Sequence, residues 1–130
     1  MSESNAAEPN DIGDQVRLYV YKVPKENHDA IVENQKLFAD IFRRYGSYYR
    51  CFQLDNTESP DDFASMTDAV SANKDEEVWL DLESYRDRKH MDEVVARIES
   101  DENALALMKQ YLELLSPGTS PILSKFSRRV

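Results

Sequence analysis

Val16, Leu18 and Val20 alternate with Arg17, Tyr19 and Tyr21 along Gln15–Val23. A period of two predicts a strand with one aliphatic face and one aromatic, polar face. Pro24 ends it. From Lys25 to Tyr45 the period lengthens to that of a helix of about five to six turns, with Ile31, Phe38, Ile41, Phe42 and Tyr45 on one stripe. Asn34 stands inside that stripe, and Gly46 follows as a natural C-cap. Ser47–Leu54 predicts a second strand, with Phe52 and Leu54 on one face and Tyr49, Cys51 and Gln53 on the other. Asp55–Glu77 is acidic and too long for a simple hairpin; Phe63, Met66, Ala69 and Val70 suit a short docking helix or an extended arm.

Val78–Glu83 predicts the third strand, with Val78, Leu80 and Leu82 opposed to Trp79, Asp81 and Glu83. Ser84 reads as the N-cap of a following helix, with Asp87 three residues on, and Met91, Val94, Val95 and Ile98 point inward. Ser100 restarts the helix on a stripe of Ala104, Leu105, Met108, Tyr111, Leu112 and Leu115, until Ser116-Pro117-Gly118 stops it. Ser120–Arg128 is the fourth strand.

The order β-α-β-β-α-β, with the second helix extended or doubled, is the split-βαβ, ferredoxin-like pattern, an α+β fold with an antiparallel sheet. Residues 15–130 form one domain, preceded by a disordered polar tail at 1–14. The aliphatic strand faces are expected to meet the helices. The face with Tyr19, Tyr21, Tyr49 and Trp79 then lies bare, and so aromatic a patch marks an interface or a ligand site. The expected solution is a homodimer whose sheets face each other and partly close, a dimeric α+β barrel.

Composition narrows the functional classes. Apolar residues are 41% and charged residues 32% of the 130, which suits a globular, soluble chain. No apolar stretch approaches the roughly 18 residues of a membrane span. The opening residues lack the basic and apolar regions of a signal peptide, so the expected location is cytoplasmic. A net charge of −9 opposes nucleic-acid binding. Cys51 is the only cysteine, and with His28 and His90 it cannot make a closed zinc site of the common thiolate and imidazole kind. Three scattered glycines make no phosphate loop. No cofactor and no metal are expected.

The aromatic strand face carries the candidate chemistry. Arg17, Tyr19, Tyr21, Tyr49, Cys51, Gln53, Trp79, Asp81 and Glu83, with Lys125 beside them, suit an aromatic cleft for a planar organic ligand, with Asp81 as a general base whose pKa rises in a dry pocket. The same residues suit a dimer interface better, with Arg17 or Lys125 pairing Asp81 or Glu83, because interfaces favour Tyr, Trp and Arg on energetic grounds. His90 and Asp92 are two residues apart on a helix and do not face each other, so they are no dyad; His90 is a second catalytic candidate or a helix-surface hydrogen-bonding residue. Asn34 either contacts a ligand or bonds a neighbouring element, since a buried amide without partners costs about 1–3 kcal/mol. His28 is expected in an exposed first helical turn.

A resemblance then bears on the fold. "AVSANKDEEVWLDL" (Ala69–Leu82) and "DRKHMDEVVARIESD" (Asp87–Asp101) resemble the YbaA-like proteins, a bacterial family of unknown function. Arg88, His90, Asp92 and Asp101 match its Arg-x-His-Arg-Asp…Asp pattern in spacing, with Met91 in place of its second Arg. "YKVPKEN" (Tyr21–Asn27) and "FRRYGS" (Phe42–Ser47) also look like its early segments. The resemblance implies a divergent member of the dimeric α+β barrel superfamily, and a dimer. It implies no activity, because that superfamily includes cofactor-independent monooxygenases, isomerases, haem enzymes and proteins without known catalysis. Two functions stand: a homodimeric small-molecule-binding or interaction module, and a cofactor-independent monooxygenase- or isomerase-like enzyme acting on an aromatic or enolisable substrate.

Overall fold

The computed structural model describes residues 12–55 and 58–130. Among them, four strands form one antiparallel sheet: β1 (Gln15–Pro24), β2 (Tyr48–Gln53), β3 (Glu76–Tyr85) and β4 (Ile122–Ser127), in the order β2-β3-β1-β4. A 3-10 turn (Lys25–Asn27) leads into helix α1 (His28–Arg44); α2 (Met66–Ala69) is a single turn, and α3 (Arg88–Glu99) and α4 (Glu102–Leu114) precede β4. The ferredoxin-like α+β fold is therefore present, with the second helix doubled.

Local chemistry sets the element ends. Gly46 closes α1 at φ 87°, the left-handed region in which glycine carries no Cβ penalty, and the amide of Ser47 donates back to the Phe42 carbonyl at 2.9 Å. β3 is longer than the alternation predicts and runs through Ser84 to Tyr85. Asp87, not Ser84, is the N-cap of α3: its carboxylate accepts from the His90 amide at 2.8 Å, and an Asp needs no Glu or Gln partner to do so. Asp101, not Ser100, caps α4 through the Ala104 amide at 2.9 Å. In the acidic segment the expected helix forms, yet Phe63 and Met66 stay exposed instead of docking.

Residues 1–11 of the expected tail lie outside the described residues. The next residues run beside the sheet: the Gly13 amide donates to Ser84 Oγ at 2.9 Å, and the Arg128 amide donates to the Asp14 carbonyl at 2.8 Å.

One expectation is reversed. The helices cover the aromatic, polar face of the sheet, and the aliphatic face is the bare one. In the strand register Tyr19 pairs with Asp81, Tyr21 with Trp79 and Cys51 with Asp81. These residues look toward α1 and α4, and Tyr21, Tyr49, Trp79, Asp81 and Glu83 are all buried. On the other face Val16, Leu18, Val20, Leu80 and Leu82 are only half-buried, and Phe52, Ile122 and Phe126 are about half exposed. Alternation separates two faces but does not say which one the helices take. Rings decide it, because each buries 150–250 Å², and α1 supplies Ile31, Phe38 and Phe42 to pack on them. α1 also supplies an amide, Gln35, for the polar ends. On α4 the same geometry turns Leu105 and Leu112 outward and leaves Ala104, Tyr111 and Leu115 in the core.

Candidate functional site

Two carboxyls lie two residues apart on the covered face of β3, and each is clamped by tyrosines. Asp81 is fully buried. Its Oδ1 accepts from Tyr21 Oη at 2.7 Å, and its Oδ2 accepts from Tyr49 Oη and Gln35 Nε2, both at 2.5 Å. Burial pushes its pKa up to about 6, against the pull of hydrogen bonds from Tyr49, Tyr21 and Cys51. Glu83 accepts from Tyr85 Oη at 2.5 Å and pairs with Arg17 Nε at 3.3 Å. Burial raises its pKa too, while Arg17 holds it down. Arg17 also donates to Tyr19 Oη. Burial drives the Tyr21, Tyr49 and Cys51 hydrogens to stay on, so these groups are neutral donors.

A cavity of about 110 Å³ lies between the sheet and the helices. Its walls are Tyr19 and Tyr49 from the sheet, Phe38 and Phe42 from α1, and Met108 and Tyr111 from α4, with Arg17 and Glu83 alongside. Tyr49 therefore touches both the Asp81 cluster and the cavity. It also borders an outer groove of about 560 Å³ with Gln35, Cys51 and Trp79. Tyr111 is 4% exposed, packs edge-on to Tyr21 at 5.0 Å, and its Oη has no hydrogen-bond partner. Asp81 and Glu83 both raise its pKa, after burial, so its hydroxyl lies within the field of both carboxyls.

The candidates from the sequence fall into two groups. Asp81, Tyr19, Tyr21, Tyr49 and Trp79 come together on the covered face, between sheet and helices and not at a second sheet. Trp79 stacks parallel to Tyr21 at 6.5 Å and donates from Nε1 to Glu77 at 3.0 Å. Glu77 in turn receives the His28 ring at 2.9 Å, so His28 ties the start of α1 to β3. His90 and Asn34 are engaged elsewhere. His90 Nδ1 accepts the Arg86 amide at 3.1 Å, its ring meets the edge of Tyr85, and burial lowers its pKa. Asn34 Nδ2 donates to the Leu107 carbonyl and to Gln110 Oε1, both at 3.0 Å, clamping α1 to α4. Of the remaining resemblance residues, Arg88 and Asp92 are exposed, and Asp101 caps α4 and accepts from Tyr45 Oη at 2.6 Å.

Two members of the site were missed. Gln35 sits beside Asn34 on the α1 stripe, and two consecutive amides at the edge of an apolar stripe were the available signal. Tyr111 was read as core only. No group of three His, Cys, Asp or Glu residues comes together as a metal site among the described residues.

Comparison with known proteins bears on this geometry. A family model described as "Protein of unknown function (DUF1428)" matches residues 15–112. The chain belongs to that family. The match spans β1 through most of α4, and so includes both carboxyl clusters and every wall of the cavity named above. It agrees with the reading of a family of unknown function, while the name under which it matches is DUF1428. No curated protein matches the chain. Among solved structures, this DUF1428 protein shares the fold of SnoaB, a cofactor-independent oxygenase from Streptomyces nogalater, in a point-mutant form. The TM-score is 0.50 at 12% sequence identity, over 91% of this chain and 96% of that one. At that identity the likeness concerns the fold.

Proposed function

We propose that this chain is a small-molecule-binding protein, a homodimer in the cytoplasm, whose ligand occupies the space between sheet and helices. The observation that carries the reading is the cavity of about 110 Å³ walled in part by Tyr49, whose hydroxyl donates to the buried Asp81 behind it. That volume approaches that of a dry cavity known to take a single ring. Solvent does not share the carboxyl's surroundings, which is the setting of a binding site in a small fold. The YbaA-like kinship belongs to this reading, resting on Arg88, His90, Asp92 and Asp101. Fold and family supply no ligand.

The dimer rests on the bare sheet face. Leu18, Leu80 and Leu82 form an aliphatic patch with Phe52 and Ile122 at its sides. An antiparallel sheet tolerates water on one face when that face is polar, and this one is not. A second sheet of the same chain would cover it, and the carboxyl clusters would stay on the far side, inside each protomer. Leu18→Lys places a charge at the centre of that patch. Native mass spectrometry is expected to find wild-type dimers and Leu18→Lys monomers, with a small-molecule adduct retained by mildly purified wild type. Wild-type monomers at micromolar concentration would end the dimer reading, and adduct-free protein under all mild conditions would count against the ligand.

A second reading, a cofactor-independent oxygenase or isomerase acting on an aromatic or enolisable substrate, is favoured by Asp81. A carboxyl with a pKa of about 6 in a dry interior is poised as a general base near neutral pH. SnoaB's description as a cofactor-independent oxygenase is in keeping with this reading without deciding it. An oxygen electrode with a hydroquinone probe tests it. Turnover is expected to vanish in Asp81→Asn while the dimer persists; no uptake by wild type leaves the binding protein as the function.

A further inference from the structure

The cavity has a polar end that the protein leaves unanswered. Tyr111 Oη is buried and lacks a partner, although a buried hydroxyl without one costs about 1–3 kcal/mol. The charges around the cavity are balanced from within: Arg17 and Glu83 form an ion pair, Tyr19 receives Arg17, Tyr85 serves Glu83, and Tyr49 serves Asp81. Arg17 Nε makes no hydrogen bond but lies 3.3 Å from the Glu83 carboxylate, which leaves Tyr111 Oη as the uncharged group without a partner. A charged ligand would find no free opposite charge at these pairs, and Asp81 and Glu83 together repel an anion. Glu99, exposed beside the cavity, and the net charge of −9 add to that repulsion. The rest of the wall is apolar: Phe38 and Phe42 on one side, Val95, Ile98 and Met108 on the other.

Resting on the binding reading above, we infer that the cavity takes an uncharged, single-ring molecule bearing one hydrogen-bonding oxygen, anchored by Tyr111 Oη. Shape and apolar walls select the ring. The unpartnered hydroxyl selects the oxygen, because a buried polar group that is satisfied only by the ligand discriminates strongly against analogues that lack it. Tyr111 is thus a specificity residue on α4, on the stripe that sequence periodicity assigns to the core. No bond is made or broken in this step.

The test is calorimetric titration of the full chain with four probes of one ring each: phenol, toluene, benzoate and benzylamine. Wild type is expected to bind phenol about tenfold more tightly than toluene, the worth of one buried hydrogen bond, with benzoate and benzylamine weaker than phenol. Tyr111→Phe, which removes only an unpartnered hydroxyl, is expected to bring phenol down to the level of toluene and leave toluene unchanged. A phenol preference that survives in Tyr111→Phe overturns the anchor. Tighter binding of benzoate or benzylamine overturns the charge selection. Failure of all four probes overturns the binding reading itself, which distinguishes the two. Nuclear Overhauser contacts from phenol to the Met108 methyl, measured on wild type, guard against a misfolded variant; their absence from a phenol complex overturns the site.

Discussion

Arg17→Met is expected to destabilise the fold by about 3–5 kcal/mol at neutral pH, the usual cost of leaving a buried carboxylate without its partner. The pair in question is Arg17 Nε with Glu83 at 3.3 Å, with Glu83 2% exposed. Tyr85 still donates to Glu83 in the variant, but a hydroxyl does not neutralise a charge. The sign of the pH dependence follows. Burial already raises the Glu83 pKa, and without the guanidinium it rises further. The folded state then holds that proton more tightly than the unfolded chain, so stability is lost as pH rises. Urea denaturation of Arg17→Met is expected to find a larger deficit at pH 8 than at pH 5, and Glu83→Gln in the same chain is expected to restore most of it. An equal deficit at both pH values, with no rescue, would mean that Arg17 acts through the packing of its stem.

Acidification from pH 7 toward pH 5 is expected to stabilise the wild-type protein, and Asp81→Asn to remove most of that gain. The folded pKa of Asp81, about 6, lies above the ordinary 3.8, so the native state binds more protons across that interval. At 1.36 kcal/mol per unit the full gap corresponds to about 3 kcal/mol, of which about 1.3 kcal/mol falls between pH 7 and pH 5 and the rest below. Thermal melts would register that part as a rise of roughly 5 °C. His28, whose pKa Glu77 raises, works in the same direction: its contribution is full below the unfolded value and fades as pH rises through the folded one. Below about pH 4 the trend reverses, because Asp101, held low by Tyr45, loses its charge. His90, held low by burial, works against this gain, so the comparison is with the variant: wild-type and Asp81→Asn melts that change equally between pH 7 and pH 5 would refute the account of Asp81.

Much of the fold was legible because it rests on periodicity. Val16 to Val20, the α1 stripe and Val78 to Leu82 each carry the period of their element, and the succession of elements is that of the split-βαβ pattern. The orientation of the sheet was not legible. Leu18 and Tyr19 are both apolar enough to be inside, and the choice depends on what the helices offer across the gap. Gln35 and Tyr111 hold that answer, from two helices far apart in sequence. The same blindness hid the pairing of Asp81 with Tyr49 and Gln35, which adjacent strands and α1 create together, whereas Arg17 with Glu83 was among the pairs the strand pattern offered. Capping was misread by one to three residues, since Ser84 and Ser100 are acceptable caps that lose to the carboxylates of Asp87 and Asp101. His90 and Asn34 drew notice as unusual residue types, and their partners turn out to be backbone groups and an exposed amide.

The chain's single tryptophan stacks on Tyr21, one hydrogen bond from Asp81, while its indole nitrogen is tied to the His28–Glu77 pair. The ultraviolet emission of the whole protein excited at the red edge is therefore the emission of one ring beside the candidate site. Trp79 is a built-in optical reporter: its intensity and colour register the charge of His28 on one flank and the occupancy of the interior on the other, without any label.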